Sequence, residues 1–412
     1  MTDYSLTERY LARLLSRAPL LKRIAKYFYT RISFYLNRTS ERSYSQRAVE
    51  VIVPEKNSFF GYFDKSPESE SGQILVHSTA LNTKKLPDPN IPIDIVLLSS
   101  EKNELLRVPT RAYNWQQGAR LQWLTNDLFV FNDFVNDKYV ARLFSAKKMA
   151  EVEVFPMPIQ DGWKDKYFLS INYERLNVLR PDYGYRNKKP MKDCSLKSLE
   201  NDGIWHVDMK SHKVKLLIKL SSLAAEIGNP ESLHKVNHIS ICPGGDHFVF
   251  LHRYLIKGRR FDRLILSSID GKNLKVLSDG GMVSHYCWVS NSELVGFLRG
   301  PNGQDAYWKI DVATQNIEKL DVCEGLGDGH PSYRNNLIVT DTYPDKSRMQ
   351  KLILFDLASL KEQKLGSFFH SLNFWGEARC DLHPRFGKTG DYVYFDSVFD
   401  GNRRLYRIKI DI

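Results

Sequence analysis

From about residue 49 onward, short runs of apolar and β-branched residues alternate with clusters of turn formers. Examples are VEVIVP (49–54), QILVHST (73–79), LFVFND (128–133), HFVFLHR (247–253), LIVTDT (337–342) and YVYFDS (392–397). Runs of this length bounded by Gly, Pro, Asn and Asp predict strands, and only 220–228 invites a helix within this region. The first part of the chain differs. Over residues 5–37, Leu11, Leu14, Leu15 and Ala18, then Leu21, Ile24, Ala25, Phe28, Ile32 and Tyr35, recur at helical spacing. Pro19 suits the first turn of a second helix.

The strand-rich region repeats itself. HISICPGGDHFVFLHR (238–253), HPSYRNNLIVTDTYPD (330–345) and HPRFGKTGDYVYFDSVFD (383–400) follow one plan: a polar start, a turn, then an aromatic and β-branched strand. SHYCWVSNSELVGFLRG (284–300) is a fourth copy, so His238, His285, His330 and His383 recur at intervals of 47, 45 and 53 residues. A period of this size with about four strands per unit is the signature of a β-propeller. Weaker copies at 61–79, 115–133 and near 166–176 bring the count to seven blades. The fold class predicted is therefore all-β, a seven-bladed β-propeller over 49–412 behind a basic amphipathic helical leader over 1–45. The strand at 49–54 is expected to close the ring against the last blade, and 180–202 reads as an insertion forming a surface loop.

Charge separates the same two parts. The net charge is +11, and residues 1–50 alone hold ten Lys/Arg against four acids. This distribution describes a basic leader on a mildly basic body, so no nucleic-acid partner is expected. The leader has the pattern of a helix at a membrane surface, and equally of a helical pair packed on its own domain or on a partner. Five widely spaced cysteines without a CxxC pair argue against a disulfide framework and for a reducing compartment. With no secretory h-region and no apolar run of about 18 residues, the expected location is cytoplasmic, with a peripheral membrane position open through residues 5–37.

In a propeller the innermost strands line one channel, so the first residues of every blade converge. These positions read Tyr62 or Asp64, Gln116 or Gln117, Asn172, His238, His285, His330 and His383, an almost wholly polar ring. Four converging imidazoles suit a divalent metal of the manganese, iron or zinc type. The plain alternative is that each histidine caps its own blade by bonding to backbone. Arg253, Arg379 and Arg385 near such a funnel favour an anionic substrate, although inter-blade ion pairs such as Arg379 with Asp381 would equally employ them. Tyr62, Asp64, Lys65, Gln116, Gln117, Asn172, Asn237, Arg379 and Arg385 are thus the candidate substrate contacts. His238, His285, His330 and His383 are the candidate metal ligands. Tyr286, Arg253 and His238 are the candidate catalytic groups. No GxSxG elbow, P-loop or strand-borne GxGxxG occurs.

The segments NWQQGARLQW (114–123), VNHISICPGGDHFVFLHR (236–253), DGGMVSHYCW (279–288), GDGHPSYRNNLIVTDTYPD (327–345) and RCDLHPRFGKTGDYVYFDS (379–397) resemble the oligogalacturonate lyase-related branch of the TolB-like propellers. The leader resembles those on bacterial surface-polysaccharide cluster members of this type. The resemblance implies β-elimination on short uronic-acid oligomers and a manganese-type ion near His285, His330 and His383, with His238 or Gln116 as further ligands. The basic leader and the lack of a closely spaced Gln/His/His group depart from that pattern, which favours a capsule or O-antigen uronate over pectin fragments. The alternatives are a non-catalytic propeller scaffold or glycan-binding protein in surface-polysaccharide assembly, and a hydrolase or transferase using the same funnel.

Overall fold

The computed structural model describes residues 19–410 apart from Gln46 and Glu55. Seven antiparallel sheets follow one another along the chain, at 57–110, 122–155, 161–219, 233–278, 283–319, 332–369 and 385–409, and they form the predicted seven blades. The middle strands are buried on both faces, as in Ile74–Thr79, because each blade is sandwiched between its neighbours. That is why they read as continuous apolar runs. The core accordingly lies between blades. Ile74, Val76, Phe129 and Phe131 join blades one and two, and Val339, Leu352, Val393 and Phe395 join six and seven.

The ring closes as the sequence led one to expect. Val49–Val51 pairs antiparallel with Tyr406–Ile408 as the outer strand of blade seven. A second tie was not foreseen: Ser43–Ser45, placed in the leader by sequence, pairs with Gly366–Phe368 as a fifth strand of blade six.

The aspartates that end the second strands have a common task. Asp341 accepts from the backbone N–H of His330 and of His383 in the next blade, and Asp396 accepts from Phe60 and Gly61 across the closure. Asn132 does the same for Ile159. Each joins one blade to the entry of the next and so holds the channel-lining residues in place.

Pro19–Asn37 is helical, with Pro at its first position, and the expected helix at 220–228 is present as Leu220–Glu226. The helical reading of residues 5–18 lies outside the described residues. The 180–202 insertion is only partly a surface loop, because Tyr183 and Tyr185 turn inward and are buried with the core of blades three and four. No helix of the described residues is long and apolar enough to cross a membrane.

A candidate metal centre in the channel

His238, His285, His330 and His383 converge as predicted. Neighbouring imidazole centroids lie 5.5 Å (His238 to His285), 4.1 Å (His285 to His330) and 4.3 Å (His330 to His383) apart. Two of them sit where the backbone bends into the channel. His238, at a bulge between Asn237 and Ser240, has φ +51°, and His383 has φ +44°, a left-handed conformation uncommon for any residue but glycine. Held strain of this kind, at equivalent points of two blades, aims both rings at one place.

The hydrogen bonds choose between capping and ligation. His330 Nδ1 lies 2.8 Å from Asp341 Oδ1, His383 Nδ1 lies 2.7 Å from the Gly61 carbonyl, and His285 Nδ1 lies 3.2 Å from Asp328 Oδ1. With Nδ1 so engaged, Nε2 is the atom left for a ligand. Among the described residues, the buried imidazole nitrogens with no hydrogen-bond partner are Nε2 of His330 and Nε2 of His383, the latter 4.0 Å from Asp381 Oδ2. The Asp381 carboxylate joins them, and one donor atom from each of His330, Asp381 and His383 falls within 4.8 Å of the others. Two imidazoles and a carboxylate, with His285 adjoining, are a donor set that fits a divalent ion of the manganese, iron or zinc type.

Electrostatics agree. Burial, then the proximity of His330, holds His383 and His285 below the ordinary imidazole range, so both are neutral donors. Burial also works against charge on His330, but the Asp341 carboxylate outweighs it and raises its proton affinity, which equally raises its basicity as a ligand. Burial opposes charge on Asp381 too, yet Arg379 beside it holds it well below the usual carboxylate range. Burial and then Arg253 keep His238 neutral.

Other predicted residues fall differently. Asn172 is not a blade entry. It follows the second strand of blade three and caps the helix Tyr173–Leu179, accepting from Arg175 N and donating to Asp202. The entry of blade three is Asp161, which pairs with Lys65. In blade two the residue matching His238 and His383 is Arg120 (φ +54°), and its guanidinium holds Asp64 at 2.7 and 3.1 Å. Asp64 and Lys65 are thereby committed to neighbouring blades. Gln116 lies before this point and donates to the Arg379 carbonyl, and the side-chain oxygens of Gln116 and Gln117 are buried without a partner.

Arg385 is corrected to a structural clamp: 1% exposed, it pairs with Asp396 and donates to the carbonyls of His383 and Gly61. Arg379 pairs with Asp381, the plain alternative raised for it above. Arg253 pairs with Asp262 and donates to Val283 O, a permanent cation unfit to accept a proton. Tyr286 donates to the His238 carbonyl, and burial pushes its phenol well up, so it is no base either. Asn237 buries both ends of its amide beside His238 without a partner.

Three features escaped sequence reasoning. Tyr62 and Phe63 lie across the imidazoles: the Tyr62 ring is 5.3 and 5.1 Å from His238 and His383, and Phe63 is 5.6 and 5.4 Å from His285 and His330. The space left beside them is about 10 Å³, room for one water at most. Lys235, opposite Arg253 in the sheet of blade four, is buried, and burial followed by repulsion from Arg253 and Arg180 pulls it down to about 7. Asp381, read from sequence only as an ion-pair partner for Arg379, brings its carboxylate to the cluster.

A seven-bladed propeller with a histidine cluster where four blades enter its channel defines the class. No family model and no curated protein sequence matches the chain. Among solved structures it is similar to oligogalacturonate lyase from Vibrio parahaemolyticus (14% identity, TM-score 0.61, 91% of this chain and 96% of that one). An oligogalacturonate lyase in complex with manganese is similar to the same degree (15% identity, TM-score 0.60, 91% and 95%). The tricorn protease, 8% identical with a TM-score of 0.50, shares the general architecture over 34% of its length. At these identities the likeness establishes the fold, a seven-bladed β-propeller shared with those lyases.

Proposed function

We propose that this chain is a carbohydrate-active enzyme acting on an acidic, uronate-containing glycan by metal-assisted β-elimination. The observation that carries this reading is the pair of buried, partnerless Nε2 atoms of His330 and His383 beside the Asp381 carboxylate. His285, His330, His383 and Asp381 would hold a divalent ion, manganese being the one bound in the similar lyase. Such an ion supplies charge neutralisation of a uronate carboxylate, which acidifies the adjacent carbon. His238, neutral and next to the cluster with its Nδ1 bonded to the Tyr62 hydroxyl, would accept that proton at Nε2. Arg253, Arg180 and Arg120 all act on His238 and give its neighbourhood a positive character suited to an anionic substrate.

The test is incubation with a panel of uronate oligosaccharides in manganese, following ultraviolet absorbance of the unsaturated product. Turnover lost in His330→Ala supports the reading, and silence across a broad acidic panel removes it. A second reading, a non-catalytic scaffold or glycan-binding protein, draws on the Tyr62–Phe63 cover, since each histidine is at most 7% exposed. It predicts glycan binding without turnover. A hydrolase or transferase would release product without new ultraviolet absorbance.

A further inference from the structure

The helix Pro19–Asn37 is amphipathic the wrong way round for a helix docked on its own domain. Leu21, Ile24, Phe28, Ile32, Tyr35 and Leu36 are 46–80% exposed. At about 100° per residue these six fall within about 120° of one another, one continuous apolar stripe facing away from the propeller. The contacts with the propeller come from the other side: Tyr27 meets Trp375 edge-on at 6.0 Å, Phe34 meets Phe369 at 5.6 Å, and Ser33 is buried. Polar groups on that side bond within the helix, Thr30 to the Lys26 carbonyl and Asn37 to that of Ser33.

Charge indicates what covers the stripe. The helix has four cations, Lys22, Arg23, Lys26 and Arg31, and no Asp or Glu. Arg31 lies about 80° from the centre of the stripe, its guanidinium over the Tyr27 ring at 3.5 Å. At the junction with the propeller, Arg42 lies over Phe369 and Lys84 over Phe374, adding to the basic rim. Apolar residues bordered by cations are the pattern of a helix lying in the headgroup layer of an anionic bilayer, where long basic side chains reach the phosphates. A protein groove would have to match a flat stripe of Leu, Ile and Phe with acids along both edges, whereas a bilayer supplies both by its nature.

We infer that the outward face of residues 21–36 is a docking surface for an anionic lipid bilayer, with the propeller carried on the helix's inner face. The 370–384 connection on which the helix sits runs inward to Asp381 and His383, so the surface and the channel cluster share one segment of chain.

The test is flotation of the full chain with vesicles of phosphatidylcholine alone or with phosphatidylglycerol, alongside light scattering of the chain without lipid. Phosphatidylglycerol should raise the bound fraction at least about tenfold, and high salt should reverse it. Phe28→Asp/Ile32→Asp should abolish binding while leaving the circular dichroism and melting of the propeller unchanged, since both side chains point to solvent. Binding retained in the double variant overturns the proposal. So does a wild-type dimer that ignores vesicles and dissociates in the double variant, because the stripe would then be covered by a second copy.

Discussion

The channel has two halves built on opposite principles. On the side of blades one to three, charge is matched within the protein: Asp64 with Arg120, Lys65 with Asp161. The buried histidine there, His77, uses both nitrogens on backbone, Nδ1 with the Phe59 carbonyl and Nε2 accepting from Ala119. On the side of blades four to seven, His330 and His383 are as deeply buried but keep Nε2 open, and Asn237 beside them leaves a whole amide unsatisfied. A buried polar group without a partner costs about 1–3 kcal/mol. The matched half has orphans too, since the side-chain oxygens of Gln116 and Gln117 are buried without a partner, but its charges and its histidine are paired, whereas the other half leaves two imidazole nitrogens and an amide open.

Four experiments bear on that contrast. The largest effect is expected on the open side. On the proposed reading, His330→Ala should abolish manganese binding and cost at least about a hundredfold of any activity, measured by metal analysis of the purified protein and by product formation. Loss of the buried His330–Asp341 contact should also lower apo stability, by about 1–3 kcal/mol. On the matched side, Arg120→Ala strands the Asp64 carboxylate and should cost about 3–5 kcal/mol in urea denaturation without altering metal content. If it removed the metal instead, the two halves would not be independent. Asp341→Asn keeps the size of the side chain but weakens the hold on His330 Nδ1, and should loosen manganese about 10–100-fold in a titration.

The smallest effect concerns His77, which burial pulls from 6.5 to about 3. Its folded value is depressed, so below the unfolded value the unfolded chain binds a proton that the native state refuses. Stability falls from this source as pH drops from 6.5 towards 3. Between about pH 7 and about pH 5 the loss is about 2 kcal/mol, and His77→Gln should flatten the denaturation free energy by that amount over the same window.

Much of this was legible in the chain because blades repeat: equivalent residues do equivalent things, so His238, His285, His330 and His383 announced their convergence by spacing alone. Registration failed where the repeat is disguised. The inner strand of blade three is only Asp161–Trp163, and the helix Tyr173–Leu179 follows its second strand, so Asn172 was mistaken for an entry. In blade two, Gln116 and Gln117 were chosen over Arg120 because periodicity fixes an entry only to within a few residues. The ion pairs that commit Asp64 and Lys65 join residues from different blades and leave no local mark, and Arg385, paired with Asp396 of its own blade, also reaches the Gly61 carbonyl across the closure. The Tyr62–Phe63 cover and the outward apolar stripe of the helix are facts of orientation, and helical spacing is the same whichever way the stripe faces.

The strand Ser43–Ser45 also sets a timetable. Ser45 donates to the Leu365 carbonyl across 320 residues, and Val49–Val51 finds its partners only in the last strand of the chain. At about 5–20 residues per second, the ribosome delivers those partners roughly 15–60 s after the strands that need them. Phe369 and Trp375, on which the helix rests, arrive equally late. During synthesis the amphipathic helix therefore emerges well before the surface it rests on and has nowhere on the propeller to sit. A nascent chain is free to meet other surfaces before the ring that will carry it exists.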